Sequence, residues 1–171
     1  MIRMTRRKFG LAGAAAIAAG RAGASTAPIE LEWADLVPES ERGNPFYEMI
    51  RQLGIVQHGE LSSPFDAQDR TVGITKEYDD KQVRLPGYSV PLSFNGTAVT
   101  ELLLVPYIGA CIHVPPPPPN QIVFVTLREP YEMTGYFEAV FATGVFSSAV
   151  LETELAELGY VMSEGTLEPY E

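Results

Sequence analysis

The stretch that decides the fold is residues 83–107, which read VRLPGYSVPLSFNGTAVTELLLVPY. Its first part, Val83–Phe94, is rich in Val, Leu, Tyr and Phe, which is typical of a β-strand, and Pro86-Gly87 predicts a bulge or bend within it. Asn95-Gly96 predicts a type I′ turn, because both central residues of that turn need a positive φ. Val99–Tyr107 then predicts the returning strand of a hairpin.

Strand patterns continue after this hairpin. The apolar stretch Leu102–Val105 predicts burial on both faces of a sheet. Residues 148–158 predict a short helix that ends at Gly159. The remaining segments predict strands: Ile122–Leu127, one or two within Gly135–Phe146, and Tyr160–Leu167. We therefore expect residues 83–171 to form one mainly β domain, a small barrel or sandwich with one or two short helices.

Residues 25–82 are expected to be an N-terminal arm, a helix and a connection that pack on this domain. Residues 28–43 are predicted to be irregular, and Trp33 is interpreted as the anchor that ties this arm to the domain. Residues 44–54 predict a helix with Asn44 as its cap, Pro45 at its first position and Gly54 after its end. The polar residues 57–82 predict a loop or short helix and a connection.

The first 24 residues predict a signal peptide. Residues 1–8 are basic, residues 11–19 form a short apolar segment, and Ala22-Gly23-Ala24 is a small-residue cleavage site, so the mature chain would begin at Ser25. The apolar segment is too short to span a bilayer. No membrane span is expected after cleavage.

The leader also predicts the route of export. Arg6 and Arg7 are paired and are followed by Phe9, which resembles a twin-arginine signal, and Arg21 agrees because a basic residue there hinders passage through the Sec system. An ordinary Sec signal that contains two arginines is the alternative. A twin-arginine signal predicts that the protein folds before export and is soluble in the periplasm.

The charge of the chain excludes several partners. Its net charge is −10. From Ser25 onward there are 7 basic and 22 acidic side chains, a net charge of −15. A body this acidic is not expected to bind nucleic acid or an anionic membrane surface. The single cysteine, Cys111, excludes an internal disulfide.

A Cys-x-His-Val segment followed by five prolines stands out in residues 105–121, which read VPYIGACIHVPPPPPNQ. With WADLVP at 33–38 and GYSVPL at 87–92, this run resembles the domain-of-unknown-function 3299 (DUF3299) family of exported bacterial proteins. The resemblance covers nearly the whole mature chain and implies no established activity. Members of this family are often found beside transporter components, so the resemblance implies metal or solute handling. The strand pattern also resembles an oligonucleotide/oligosaccharide-binding (OB) barrel.

Cys111 and His113 are two residues apart, so on a strand their side chains would project from the same face. Thiolate and imidazole at that spacing can bind one Zn²⁺ or copper ion. Residues 115–119 would form a stiff polyproline rod that fixes the direction in which the chain leaves. Two alternatives stay open: a structural pair, with Cys111 as a small buried hydrophobe, and a catalytic or redox pair.

His58 is the weaker candidate for a third metal ligand, since it lies in a polar segment. Because Cys111 and His113 would point outwards in parallel from one strand, metal binding is favoured over nucleophilic catalysis. The sequence has no Gly-rich phosphate loop, serine nucleophile motif or di-Cys zinc knuckle. Two functions remain. One is a periplasmic metal-binding accessory protein that serves a transporter component or another periplasmic protein. The other is a metal-free interaction module that docks a partner through its proline-rich edge.

Overall fold

The structure is a computed structural model that describes residues 27–45, 47, 72–107, 117–152 and 157–170. Over these residues the chain is mainly β, as predicted, with one six-stranded sheet. Its described helical elements are three 3₁₀ turns. The strands are β1 (Ile29–Glu30), β2 (Lys81–Asn95), β3 (Ala98–Val105), β4 (Val123–Tyr131), β5 (Ala139–Glu152) and β6 (Glu157–Pro169).

Five strands form a closed ring of hydrogen bonds in the order β2-β3-β4-β6-β5, with β5 returning to β2. The ring closes because the long strand β2 has two partners: it pairs with β5 as far as Tyr88 and with β3 from Tyr88 onward. All ring pairings are antiparallel except that of β4 with β6. A five-stranded ring with one parallel pair agrees with the OB-like arrangement expected from the strand pattern.

The β2–β3 hairpin forms as predicted, but its turn is displaced by one residue. Asn95 pairs with Ala98, so the two central residues are Gly96 and Thr97. Only Gly96 has a positive φ, of 65°. Glycine at the first central position is the pattern of a type II′ turn rather than the predicted type I′ turn.

Two other predictions, a bulge at Pro86-Gly87 and a helix over residues 148–158, are wrong. The register of β2 against β5 runs without interruption through Pro86 and Gly87, and the bulges of β2 lie instead between Pro91 and Phe94. The described residues of the helix predicted over 148–158 lie in strands instead, because β5 continues to Glu152 and β6 begins at Glu157. Leu151 pairs with Leu158 in this part of the sheet, so the backbone groups pair between strands rather than within a helix.

The predicted helix over residues 44–54 lies outside the described residues apart from Asn44, Pro45 and Tyr47. There the Tyr47 amide donates to the Asn44 carbonyl at 3.1 Å. Residues 28–43, predicted to be irregular, hold β1 and two 3₁₀ turns, Trp33–Leu36 and Glu39–Glu41.

The core has two parts, one on each side of the sheet around β3. Leu102 and Leu104 belong to the larger cluster, while Leu103 and Val105 belong to the smaller one. All four side chains are buried, which confirms that this stretch is covered on both faces. Within the described residues no helix has the length and apolar character needed to cross a membrane.

Candidate functional site

The motif that stands out in the sequence falls in the connection between β3 and β4. Leu104 near the end of β3 pairs with Val123 at the start of β4, so the two ends of this connection are neighbours in the sheet. Cys111 and His113 lie in the middle of this connection, outside the described residues. His58, which precedes β2 in the sequence, also lies outside the described residues. The structure therefore describes the two flanks of the candidate metal-binding pair, which are Val105–Tyr107 and residues 117–122.

The second flank is packed into the protein. Residues 117–119 of the proline run are buried, and Pro119–Gln121 form a 3₁₀ turn with Pro118 as its N-cap. The Gln121 amide donates to the Pro118 carbonyl at 2.8 Å. Because proline has no N–H to satisfy, this turn can be buried with few unpaired donors.

Asn120, which follows the prolines, is fully buried and ties three parts of the chain together. Its Nδ2 donates to the Tyr47 hydroxyl at 3.0 Å and to the Gly73 carbonyl at 3.1 Å. The Tyr47 hydroxyl in turn donates to Asn120 Oδ1 at 3.2 Å. Both polar atoms of the buried amide are thus satisfied, as burial requires.

Gln121 is also fully buried, but only half of its amide is paired. Its Nε2 donates to the Trp33 carbonyl at 3.1 Å and to the Asn120 carbonyl at 2.8 Å. Its Oε1 has no hydrogen-bond donor in the described part of the chain. Trp33 Nε1 donates to the Pro86 carbonyl at 2.7 Å, so this tryptophan fastens the arm to β2, as the sequence predicted.

The first flank ends at Tyr107, whose hydroxyl is buried and has no partner among the described residues. Burial raises the pKa of Tyr107 to about 12, so its O–H stays protonated over the physiological range. Each flank of the connection therefore carries a buried polar atom that has no partner among the described residues: the phenol oxygen of Tyr107 and the amide oxygen of Gln121.

Tyr160 is fully buried beside the 3₁₀ turn and is held by two hydrogen bonds. The Tyr160 hydroxyl donates to the Leu36 carbonyl at 2.6 Å and accepts from the Thr75 amide at 2.9 Å. Burial is the main cause that raises the pKa of Tyr160. Next to it, a Cβ on Gly159 would lie 2.8 Å from the Pro119 carbonyl oxygen, so the turn rests directly on β6.

The chemistry of the described cluster suits it to hold the β3–β4 connection in place. It offers amides, phenols and backbone carbonyls, and the described residues contain no group of three or more His, Cys, Asp or Glu side chains arranged to hold a metal ion. Sequence reasoning did not single out Asn120 and Gln121. The available signal was a polar pair placed between a proline run and an apolar strand, where buried amides need partners.

The fold and the buried hydrogen bonds of Asn120 and Gln121 define a small mainly β protein in which the β3–β4 connection is held at both ends. The family model described as "Protein of unknown function (DUF3299)" matches residues 33–169. The chain therefore belongs to the DUF3299 family, as the resemblance in its sequence implied.

Comparison with solved structures agrees with this assignment. The chain is similar to a DUF3299 family protein from Pseudomonas aeruginosa PAO1, whose crystal structure superposes with a TM-score of 0.66. The two sequences are 36% identical, and the match covers 85% of this chain and 98% of that one. No curated protein matches the chain.

Proposed function

We propose that this chain is an exported metal-binding accessory protein that holds a Zn²⁺ or copper ion with Cys111 and His113. The observation that carries the proposal is the fastening of the β3–β4 connection at both ends. Buried backbone hydrogen bonds and the buried amides of Asn120 and Gln121 hold one end, and β3 holds the other. A fixed frame lowers the entropy that two ligands lose when they bind one ion.

The residue chemistry supports the same proposal. A thiolate and an imidazole suit Zn²⁺ and copper, and they discriminate against Mg²⁺ and Ca²⁺, which prefer oxygen. Zinc takes four ligands, so His58, a carboxylate, water or a second chain would complete the shell. Such an open site suits an accessory protein that delivers its ion to a transporter component or another periplasmic protein. It suits a permanent structural site less well.

The metal-free alternative has less support. An interaction module that docks a partner through its proline-rich edge needs exposed prolines, since partners grip the faces of a polyproline helix. Residues 117–119, three of the five prolines, are buried. We therefore give the metal-binding role precedence.

The test is elemental analysis and metal titration of the protein purified after export from a bacterial host. Wild type should carry close to one Zn²⁺ or copper ion per chain. Cys111→Ser should weaken copper(I) binding more than His113→Ala does, because the thiolate is the softer ligand. His58→Ala reports on the third ligand, and Glu77→Gln, which changes an exposed carboxylate, is the matched control.

Acidification should also release the ion, because the binding forms are the thiolate and the neutral imidazole. Wild-type protein without stoichiometric metal, with both variants binding as it does, would overturn the proposal. In that case a loss of stability in the same variants would identify Cys111 and His113 as a structural pair.

A further inference from the structure

An open groove lies at the end of the sheet opposite the β3–β4 connection. The β2–β3 hairpin borders it with Phe94 and Thr97, and the connection between β4 and β5 borders it with Met133 and Tyr136. Pro91 and Phe94, which line the groove, lie beyond Tyr88, the last residue of β2 that pairs with β5. The groove shares no residue with the proposed metal-binding pair.

The walls of the groove expose large apolar side chains. Phe94 is 53% exposed and Tyr136 is 81% exposed. The register of β2 shifts twice, once between Pro91 and Ser93 and once between Ser93 and Phe94. Bulges of this kind change the direction in which a side chain points, so the strand presents Phe94 to solvent instead of to the core.

Hydrogen bonds hold the wall formed by the β4–β5 connection in place. Glu138 accepts from the Thr134 amide at 3.1 Å and from the Tyr131 hydroxyl at 3.2 Å. Next to it, Phe137 has a φ of 62°, a conformation that a bulky residue adopts only when its surroundings impose it. Glu132 accepts from the Thr97 hydroxyl at 3.0 Å and so links the two walls.

These carboxylates also give the groove its charge. Glu132 and Glu138 accept hydrogen bonds from residues that line the groove. Neither has an ion-pair partner in the described part of the chain. The described arginines with ion pairs make them elsewhere: Arg84 with Glu30 and Glu168, and Arg128 with Glu164. Two carboxylates that form no ion pair with the described residues, beside apolar walls, favour a cationic occupant.

The size of the groove indicates what kind of occupant fits. Its volume is about 160 Å³, whereas pockets that enclose a small molecule usually measure about 300–1,000 Å³. It can take one side chain of a longer ligand. We propose that the groove docks an extended basic segment of a partner protein, with one apolar side chain between Phe94 and Tyr136 and adjacent Lys or Arg side chains near Glu132 and Glu138.

The test is a titration of the purified, isotope-labelled chain with a panel of synthetic peptides, followed by amide chemical shifts. Each peptide carries one Leu, Phe or Met flanked by Lys or Arg, and its counterpart carries Glu in the flanking positions. The basic peptides should shift the amides of residues 94–97 and 133–136, while the acidic counterparts should not. Added salt should weaken the binding, because exposed charges are screened.

Variants assign the effect to named side chains. Phe94→Ala should weaken binding about tenfold, as expected for an apolar anchor. Glu132→Gln and Glu138→Gln should each weaken it by roughly two- to fivefold, the range of exposed ion pairs. Two matched controls lie outside the groove, Val150→Ala for exposed apolar surface and Glu77→Gln for charge, and both should bind as wild type does.

The proposal fails if no basic peptide binds at millimolar concentration, or if the acidic counterparts bind as tightly. It also fails if the shifts lie outside the groove. A simple alkylammonium ion that binds the groove as tightly as the peptides would identify it as a small-cation site instead. Thermal unfolding of each variant confirms that a loss of binding is not a loss of fold.

Discussion

At the scale of single residues, two tyrosines whose hydroxyls are buried lead to opposite predictions. The Tyr160 hydroxyl serves two backbone groups, the Leu36 carbonyl and the Thr75 amide. Its removal in Tyr160→Phe leaves both unpaired next to the core and should cost about 1–3 kcal/mol of unfolding free energy. Urea denaturation measures this loss, and Tyr136→Phe, at an exposed site, is the control.

The Tyr107 hydroxyl has no partner among the described residues, so its removal deprives nothing of a hydrogen bond there. Tyr107→Phe should therefore change the unfolding free energy by no more than about 0.5 kcal/mol, or should raise it. The same urea denaturation decides the matter. A loss comparable to that of Tyr160→Phe would show that the phenol has an acceptor in the neighbouring connection.

Both tyrosines also predict how stability depends on alkaline pH. Burial raises the pKa of Tyr107 to about 12 and raises that of Tyr160 as well, while in the unfolded chain both phenols ionise near the ordinary value of 10. The folded chain then keeps protons that the unfolded chain releases. Stability is full below about pH 10 and falls as the pH rises towards the folded pKa values. Urea midpoints at about pH 9 and about pH 11 should show this fall, and Tyr160→Phe should flatten it.

Single residues differ in how far the sequence could predict their roles. Trp33 was predicted as an anchor because a lone tryptophan in an otherwise irregular arm needs an apolar site and a hydrogen-bond partner. Asn120 and Gln121 were missed, because buried amides are identified by their partners, and all of those partners except the adjacent Asn120 carbonyl lie 47 to 88 residues away. Cys111 and His113 remain a prediction from spacing alone.

At the scale of elements, the contact between β5 and β6 depends on a glycine. A Cβ on Gly144 would lie 2.6 Å from Met162 Cγ and 2.7 Å from the Ser163 carbonyl oxygen. Gly144→Ala should therefore force the two strands apart and cost about 1–3 kcal/mol. Thermal unfolding tests this, with Gly43→Ala as the control, since nothing lies within 4 Å of a Cβ there. Equal melting temperatures for the two variants would contradict the close packing.

The same pair of strands shows why one element could not be predicted. Residues 148–158 contain Ala, Leu and Glu, which have good intrinsic helix propensity. Pairing with a neighbouring strand overrides that preference, and pairing between distant segments is not visible in a short window of sequence. The β2–β3 turn shows the opposite case: Gly96 located the hairpin correctly, and the pairing of Asn95 with Ala98 then decided which two residues became central.

At the scale of the whole molecule, the distribution of charge predicts how the chain is handled. The leader is basic and the rest of the chain carries a net charge of −15. If the paired arginines direct twin-arginine export, Arg6→Lys with Arg7→Lys should keep the charge but lose the planar guanidinium groups that lysine cannot replace. Fractionation should then show precursor accumulating inside the cell. Undiminished export that depends on Sec would contradict this prediction.

The mainly β class was predictable because hydrophobic alternation and turn residues are local signals. The partner switch of β2 at Tyr88 was not, since it depends on which strands meet. The switch bears on self-association. Each half of β2 is paired with a neighbouring strand. Along its other edge, β1 pairs with Val83 and Arg84, the Ser89 amide donates to the Glu138 carbonyl at 3.0 Å, and Pro91 has no N–H. β2 thus offers few open backbone positions to a strand of another molecule, and self-association should not begin there.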